Sequence, residues 1–271
     1  MVSSASTPPL GLHSVAPTPV PGLAMAERRV ENPRATIVCV HGGLDRGGSF
    51  ARLARRMEHF DLVAYDRRGY QGSRSLQPMS LELHVADLLA VAQREAQRSP
   101  VILFGHSYGG VVALGAALAE PSLASAAIVY ESPLPWILHR ESSRRALTDD
   151  PRAEAERFFR RIVSNGAWER LSDTERESRL ADGPALLSDL TSLRFGQAPF
   201  DLAPLKVPTL YVYGDGVIRD HYRLLCVELQ KVNPAIRRRE LENAAHGAHL
   251  SKPDQLAALI TEEWGCLCAS A

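Results

Sequence analysis

A chain of 271 residues, 45% hydrophobic and 23% charged, carries enough apolar side chains for one large globular domain with an insertion, which excludes a disordered or fibrous chain. Lysine plus arginine and aspartate plus glutamate both number 31, so no net field draws the protein to nucleic acid or to an anionic membrane. The first residues lack a charged segment followed by an apolar one, and no apolar run is long enough to span a bilayer, so the expected setting is the cytoplasm.

Residues 1–34 hold Pro8, Pro9, Pro17, Pro19, Pro21 and Pro33, a density that rules out a continuous helix and allows at most short edge strands. Apolar runs of strand length follow: TIVCVHGG, FDLVAYDRRG, VILFGHS, SAAIVYES and VPTLYVYGDG. Each is rich in β-branched or aromatic residues and ends in glycine or polar residues, as central strands buried on both faces do. Helical patterns lie between them in SFARLARRM, LELHVADLLAVAQREAQR and YGGVVALGAALAE. Such alternation implies an α/β fold, a mainly parallel sheet with helices on both faces, whose ligands bind at the carboxyl ends of the strands.

The alternation breaks over residues 134–202, where WILHRESSRRAL, DPRAEAERFFRRIVSNG and AWERLSDTERESRLADG follow one another with helical periodicity. We read this stretch as an inserted helical cap on a core of residues 35–133 and 203–271. It holds eleven arginines against twelve acidic residues, so its charge runs are solvated helix faces rather than an anion site. Cys39, Cys226, Cys266 and Cys268 have no CxxC spacing and are expected to be reduced thiols.

The chemistry concentrates in VILFGHSYGGVVALG. Gly105, His106, Ser107, Tyr108 and Gly109 fit G-x-S-x-G, with an apolar strand before and a helical pattern after. A nucleophile on a sharp strand-to-helix turn sits in strained backbone geometry, so glycine is needed two residues to either side. The helix start also aims partial positive charge at the reaction centre.

From IVCVHGG through YDRRGYQGS and FGHSYGG to AAHGAHLSKPDQ the chain resembles the α/β-hydrolase superfamily, in its serine-nucleophile, esterase-like form with a helical cap. The resemblance implies Ser107 as nucleophile and the backbone N–H groups of Gly43 and Tyr108 as oxyanion donors, with Leu44 beside them on the substrate side. It implies His246 as base, with His249 as the less favoured candidate and the packing neighbour. Asp66 and Arg68 are expected to hold their loop together, and His41 to be a structural hydrogen-bonding residue. YDRRGYQGS departs from the usual D-x-R-G-x-G-x-S in placing Gln71 where the second glycine is expected.

Many members carry the triad acid three residues after the glycine that ends the strand VPTLYVYG, and here that position is Val217. Asp215 lies two residues early and Asp220 three late, so each remains an alternative, and Asp215 could equally be a turn former. Part of the superfamily, including some haloalkane dehalogenases, instead ends the preceding strand with the acid, and SAAIVYES places Glu131 there. A carboxylate at the end of a buried strand is expensive unless paired, and a histidine supplies the partner. The order Ser107, Glu131, His246 is the order the fold requires.

The expected function is hydrolysis of an ester-like bond in a small, mostly apolar substrate, with no metal or organic cofactor and Trp136 lining or gating the pocket. A serine nucleophile argues against haloalkane dehalogenase and epoxide hydrolase chemistry. Thioesterase, lactonase, C–C hydrolase and perhydrolase activities stay open, as does a non-catalytic, ligand-binding homologue.

Overall fold

The computed structural model describes residues 11–77, 79–138, 147–193 and 198–268. Pro8, Pro9, most of the first expected cap helix and the side chain of Cys268 lie outside the described residues.

Eight strands form one sheet: β1 (His13–Val15), β2 (Met25–Arg28), β3 (Thr36–Val40), β4 (Asp61–Tyr65), β5 (Val101–His106), β6 (Ala126–Tyr130), β7 (Thr209–Gly214) and β8 (Arg237–Leu241). Their order is β1-β2-β4-β3-β5-β6-β7-β8. β1 and β2 pair antiparallel at one edge, and β4 through β8 run parallel. The proline-rich leader thus contributes the two short edge strands. β8 was not foreshadowed by an apolar run, because it is the far edge strand and carries Arg237, Arg238 and Arg239.

The central strands alternate between two cores, as a pleated strand must. Val38, Val40, Leu103 and Val129 pack on one face with α2 (Leu81–Ala96) and α3 (Tyr108–Ala119). Ile37, Cys39, Ile102, Phe104 and Ile128 pack on the other with α1 (Ala51–Ala54) and α10 (Pro253–Cys268). Burial on both faces is what gives these strands their unbroken apolar character. Each fully buried Ile or Leu contributes roughly 1.5–3 kcal/mol relative to exposure.

Among the described residues, four helices are inserted between β6 and β7: α4 (Pro151–Ile162), α5 (Asn165–Glu169), α6 (Asp173–Ala181) and α7 (Gly183–Ser192). The side chain of Asp150 caps α4, that of Ser164 caps α5, and Ser172 with Glu175 forms a full capping box on α6. Phe159, Trp168, Ala185 and Leu186 give these helices a small core of their own, which also takes in Leu44 and Tyr70. After β7 come α8 (Arg219–Val232), β8 and the short α9 (Ala248–Ser251).

The strand order places the site. β3 is flanked by β4 on one side and β5 on the other, so the chain leaves β3 and β5 in opposite directions and opens a crevice at their carboxyl ends. Gly43 follows β3, Ser107 follows β5 and Glu131 follows β6.

Candidate active site

Ser107 stands between β5 and α3 with φ 54° and ψ −126°, a conformation that a residue with a Cβ adopts only under strain. The turn closes because its flanks are bare. A Cβ on Gly105 would lie 2.4 Å from the Gly109 carbonyl oxygen, and one on Gly109 would lie 2.1 Å from that of Val40. Gly42 lies against the serine, since a Cβ there would come within 2.8 Å of the Ser107 Cβ.

Glu131 also has a left-handed backbone, φ 46°, which turns its side chain off the end of β6. It is 1% exposed. Its Oε1 accepts from the Gly214 N–H at 3.0 Å, and its Oε2 lies 2.7 Å from His246 Nδ1. The Tyr222 hydroxyl donates to the Glu131 backbone carbonyl at 3.1 Å. Both carboxylate oxygens are therefore engaged, which is how a buried charge is tolerated. With Nδ1 turned to the carboxylate, the Nε2 of His246 is left for another partner.

The two rival acids are elsewhere. Asp215 accepts from the N–H groups of Asn243 (2.8 Å) and Ala244 (3.0 Å), and these bonds hold its carboxyl below the usual carboxylate range. It braces the loop that carries His246. Asp220 is exposed in the first turn of α8, and Val217 is exposed as well.

His41 and Arg67 shape the turn after β3. His41 Nε2 accepts from the Arg67 N–H at 2.9 Å, while its Nδ1 lies 2.7 Å from the Gly42 carbonyl oxygen. Arg67 donates to the carbonyls of His41 (2.9 Å) and Gly42 (3.2 Å). Its guanidinium then forms a forked pair with Asp189 of α7, at 3.0 and 2.6 Å, and the Tyr70 hydroxyl donates to the same carboxylate at 2.6 Å. Arg67 is fully buried. Sequence reasoning missed it, because its neighbour Arg68 carries the motif position. Arg68 and Asp66 do hold the loop: Arg68 donates twice to Asp87, and Asp66 accepts from Gly47 and Gly72. Gln71 takes φ 42°, the backbone a glycine would have supplied, and is held there by hydrogen bonds from its N–H and side-chain amide to Asp182.

Ser107, Glu131 and His246 line one cavity of about 910 Å³, roofed by α4 and α7 and walled by Leu134, Leu138, Phe158, Ile162 and Leu190. Its charged lining includes Arg161 and Arg157, the latter ion-paired with Glu154. Trp136 is not among the described residues that line it. Its ring stands edge-on to Phe200 at 5.4 Å and packs on the main core. Leu44 is likewise absent from the lining. It is buried in the small core of the inserted helices, φ 52°, with its carbonyl accepting from Arg179. Trp136→Ala should therefore lower the unfolding midpoint, at a cost of about 2 kcal/mol, with chain-length preference unchanged. A shifted preference at an unchanged midpoint would return Trp136 to the substrate.

Residues 37–259 match the profile of the Alpha/beta hydrolase family. The chain belongs to that family. It is similar to lipase LipV of Mycobacterium tuberculosis, 29% identical over 36% of this chain and 37% of that one. It is also similar to the monoglyceride lipase of Rattus norvegicus, 32% identical over 38% and 36% of the two. The chain thus spans little more than a third of the length of these curated relatives. Among solved structures, a thermophilic esterase from Thermogutta terrifontis superposes with TM-score 0.69 over 94% of this chain and 98% of that one, at 17% identity, a likeness of fold. Among the described residues no helix is long and apolar enough to cross a membrane.

In this α/β hydrolase the two imidazoles beside the buried Arg67–Asp189 pair are kept neutral by burial. Desolvation, and then the Arg67 guanidinium, push His41 down to about 3 and lower His84 by the same two causes. The folded state keeps both imidazoles uncharged, whereas the unfolded chain takes up their protons near the ordinary histidine value. Stability present above about pH 6.5 is therefore lost as pH falls toward the folded-state values, at about 2 kcal/mol by pH 5 for a group lowered as far as His41. Thermal unfolding from neutrality down to about pH 5 should show a falling midpoint. A flat profile would mean that His41 is protonated in the fold.

Proposed function

We propose that this chain is a serine hydrolase that cleaves an ester-like bond in a small, mostly apolar substrate through an acyl-enzyme. The carrying observation is the 2.7 Å contact between His246 Nδ1 and the buried Glu131 carboxylate, beside a serine held in strained elbow geometry and on the same cavity. Ser107 attacks the carbonyl carbon, His246 takes its proton through Nε2 and returns it to the leaving group, and Glu131 fixes the tautomer and stabilises the imidazolium. A water molecule then repeats the sequence on the acyl-enzyme.

The oxyanion is assigned to the N–H groups of Gly43 and Tyr108. Tyr108 opens α3, so its N–H has no partner within the helix. The Gly42 carbonyl is held by His41 and Arg67, and in a trans peptide the following N–H, that of Gly43, points the opposite way. Arg67 is a positioning residue in this reading.

A cavity of about 910 Å³ with aliphatic and aromatic walls is at the large end for small-molecule sites and suits an acyl chain. The names of the lipase relatives agree with a carboxylic ester. The cytoplasm remains the expected setting. Labelling by a fluorophosphonate, followed by a screen of p-nitrophenyl esters of rising acyl length beside thioesters and lactones, tests the proposal. Rapid labelling and turnover of an apolar ester are expected. A pocket that neither labels nor turns over any of them would be a ligand-binding homologue instead.

A further inference from the structure

Directly behind His246 lies a second group of titratable side chains that the proposed chemistry does not use. The His106 and His249 rings lie 4.5 Å apart between centroids and the His106 and His246 rings 4.7 Å, each pair tilted by 51°. His106 and His249 are 6% and 2% exposed. His249 Nε2 lies 3.4 Å from Asp45 Oδ2, and His106 Nδ1 lies 3.9 Å from the same oxygen. Neither contact is aligned as a hydrogen bond, so both nitrogens are buried polar atoms without a hydrogen-bond partner. That is a costly arrangement in a protein interior.

The tautomers sharpen the point. His106 Nε2 lies 2.7 Å from the His246 backbone carbonyl, which only accepts, so the proton of His106 sits on Nε2 and Nδ1 presents a bare lone pair. The Asp45 Oδ2 faces that lone pair from 3.9 Å with no proton of either ring between them, and what such a pair lacks is a cation.

We infer that Asp45, His106 and His249 form a binding site for a divalent transition ion of the zinc type. One ligand atom from each residue can be chosen so that all lie within 4.8 Å of one another. A tetrahedral ion with bonds of about 2.1 Å holds its ligand atoms about 3.4 Å apart. The His249–Asp45 separation of 3.4 Å already matches, the His106–Asp45 separation of 3.9 Å must close by about half an ångström, and the two histidine nitrogens, within 4.8 Å of each other, by up to about 1.4 Å to reach that spacing. Two imidazoles and one carboxylate are the donor set of borderline ions such as Zn²⁺, not of Mg²⁺ or Ca²⁺. The outer contacts fit as well: the Ser49 hydroxyl donates to Asp45 Oδ2 at 3.0 Å, and the His246 carbonyl fixes the His106 ring.

The three ligands come from three separate segments: the loop after β3, the nucleophile elbow and the start of α9. An ion bound there fastens all three together and, through His106, the backbone of His246. It is a structural clamp, and no step of the hydrolysis runs through it.

The test uses the full chain, stripped with EDTA and titrated with Co²⁺ and Zn²⁺. Co²⁺ binding is read from its visible ligand-field absorption, and Zn²⁺ from metal content after dialysis and from the unfolding midpoint. A single equivalent of either ion, a tetrahedral Co²⁺ spectrum and a midpoint raised by Zn²⁺ are expected. Affinity should fall about tenfold or more in His249→Gln and in Asp45→Asn, each checked for folding by circular dichroism, while Glu131→Gln should bind as the parent does. Two variants guard against the loss of one to misfolding. The inference is overturned if the folded parent takes up no stoichiometric ion. It is equally overturned if a folded His249→Gln or Asp45→Asn binds the ion as tightly as the parent, or if uptake is abolished by His246→Asn, which would place the ion on the histidine of the proposed triad.

Discussion

Ser107→Ala should reduce kcat by roughly a hundred-thousand-fold or more while leaving the unfolding midpoint within a few degrees of the parent. The change removes one oxygen from a side chain that makes no hydrogen bond on which the fold depends. Alanine keeps the Cβ, so the strain of φ 54° and ψ −126° stays in the backbone. Ser107→Gly is the informative companion: equally inactive, but more stable by about 1 kcal/mol, because glycine adopts positive φ freely. Active-site titration and thermal unfolding of the two variants side by side separate chemistry from strain. An alanine variant that retains most of its esterase rate would end the serine mechanism.

Glu131→Gln should lower kcat by roughly a thousand-fold or more, with KM changed far less. Glutamine can still accept from the Gly214 N–H through its oxygen, so the backbone contact at the end of β7 survives. What it then turns toward His246 Nδ1 is an N–H₂ group, which meets the acceptor tautomer of the ring and leaves the proton on Nε2, where the base function is blocked. Asp215→Asn and Asp220→Asn should each cost far less. The first acts through the Asn243–Ala244 turn and should show mainly as reduced stability; the second sits in solvent on α8. A crippled Asp215→Asn beside a nearly normal Glu131→Gln would move the acid back to the loop after β7.

Two residues of the candidate triad were readable from local order, whereas His246 was chosen over His249 by the family resemblance. Ser107 sits between glycines in a strand-to-helix junction, and Glu131 ends a run of five buried residues where an unpaired charge is expensive. The five central strands were readable for the same reason: burial on both faces leaves an apolar run. β8 was not, since an edge strand with arginines at three consecutive positions looks like a solvated helix turn or a loop. Nothing local separates Arg67 from Arg68. Which of them turns under the loop after β3 is decided by Asp189, 122 residues away on an inserted helix, while Arg68 pairs with Asp87. Trp136 shows the converse, a large aromatic beside the acid whose partner, Phe200, lies beyond the inserted helices. The Asp45, His106 and His249 group has no spacing to read at all, because its members meet only when β3, β5 and α9 are in place.

The Arg67–Asp189 pair has a practical consequence for anyone recombining family members. Asp189 and Asp182 on the inserted helices reach down to Arg67, Gln71 and Arg74 of the loop after β4, and all the bonds between them are buried or partly buried. The insertion and that loop are therefore one module in two pieces of sequence. A chimera that grafts a foreign insertion between β6 and β7 and leaves the loop behind would strand the Arg67 guanidinium in the interior, a penalty of roughly 3–5 kcal/mol and enough to unfold many domains. Crossover points that carry residues 66–74 along with the insertion would keep both halves matched, and would let specificity be exchanged by cassette.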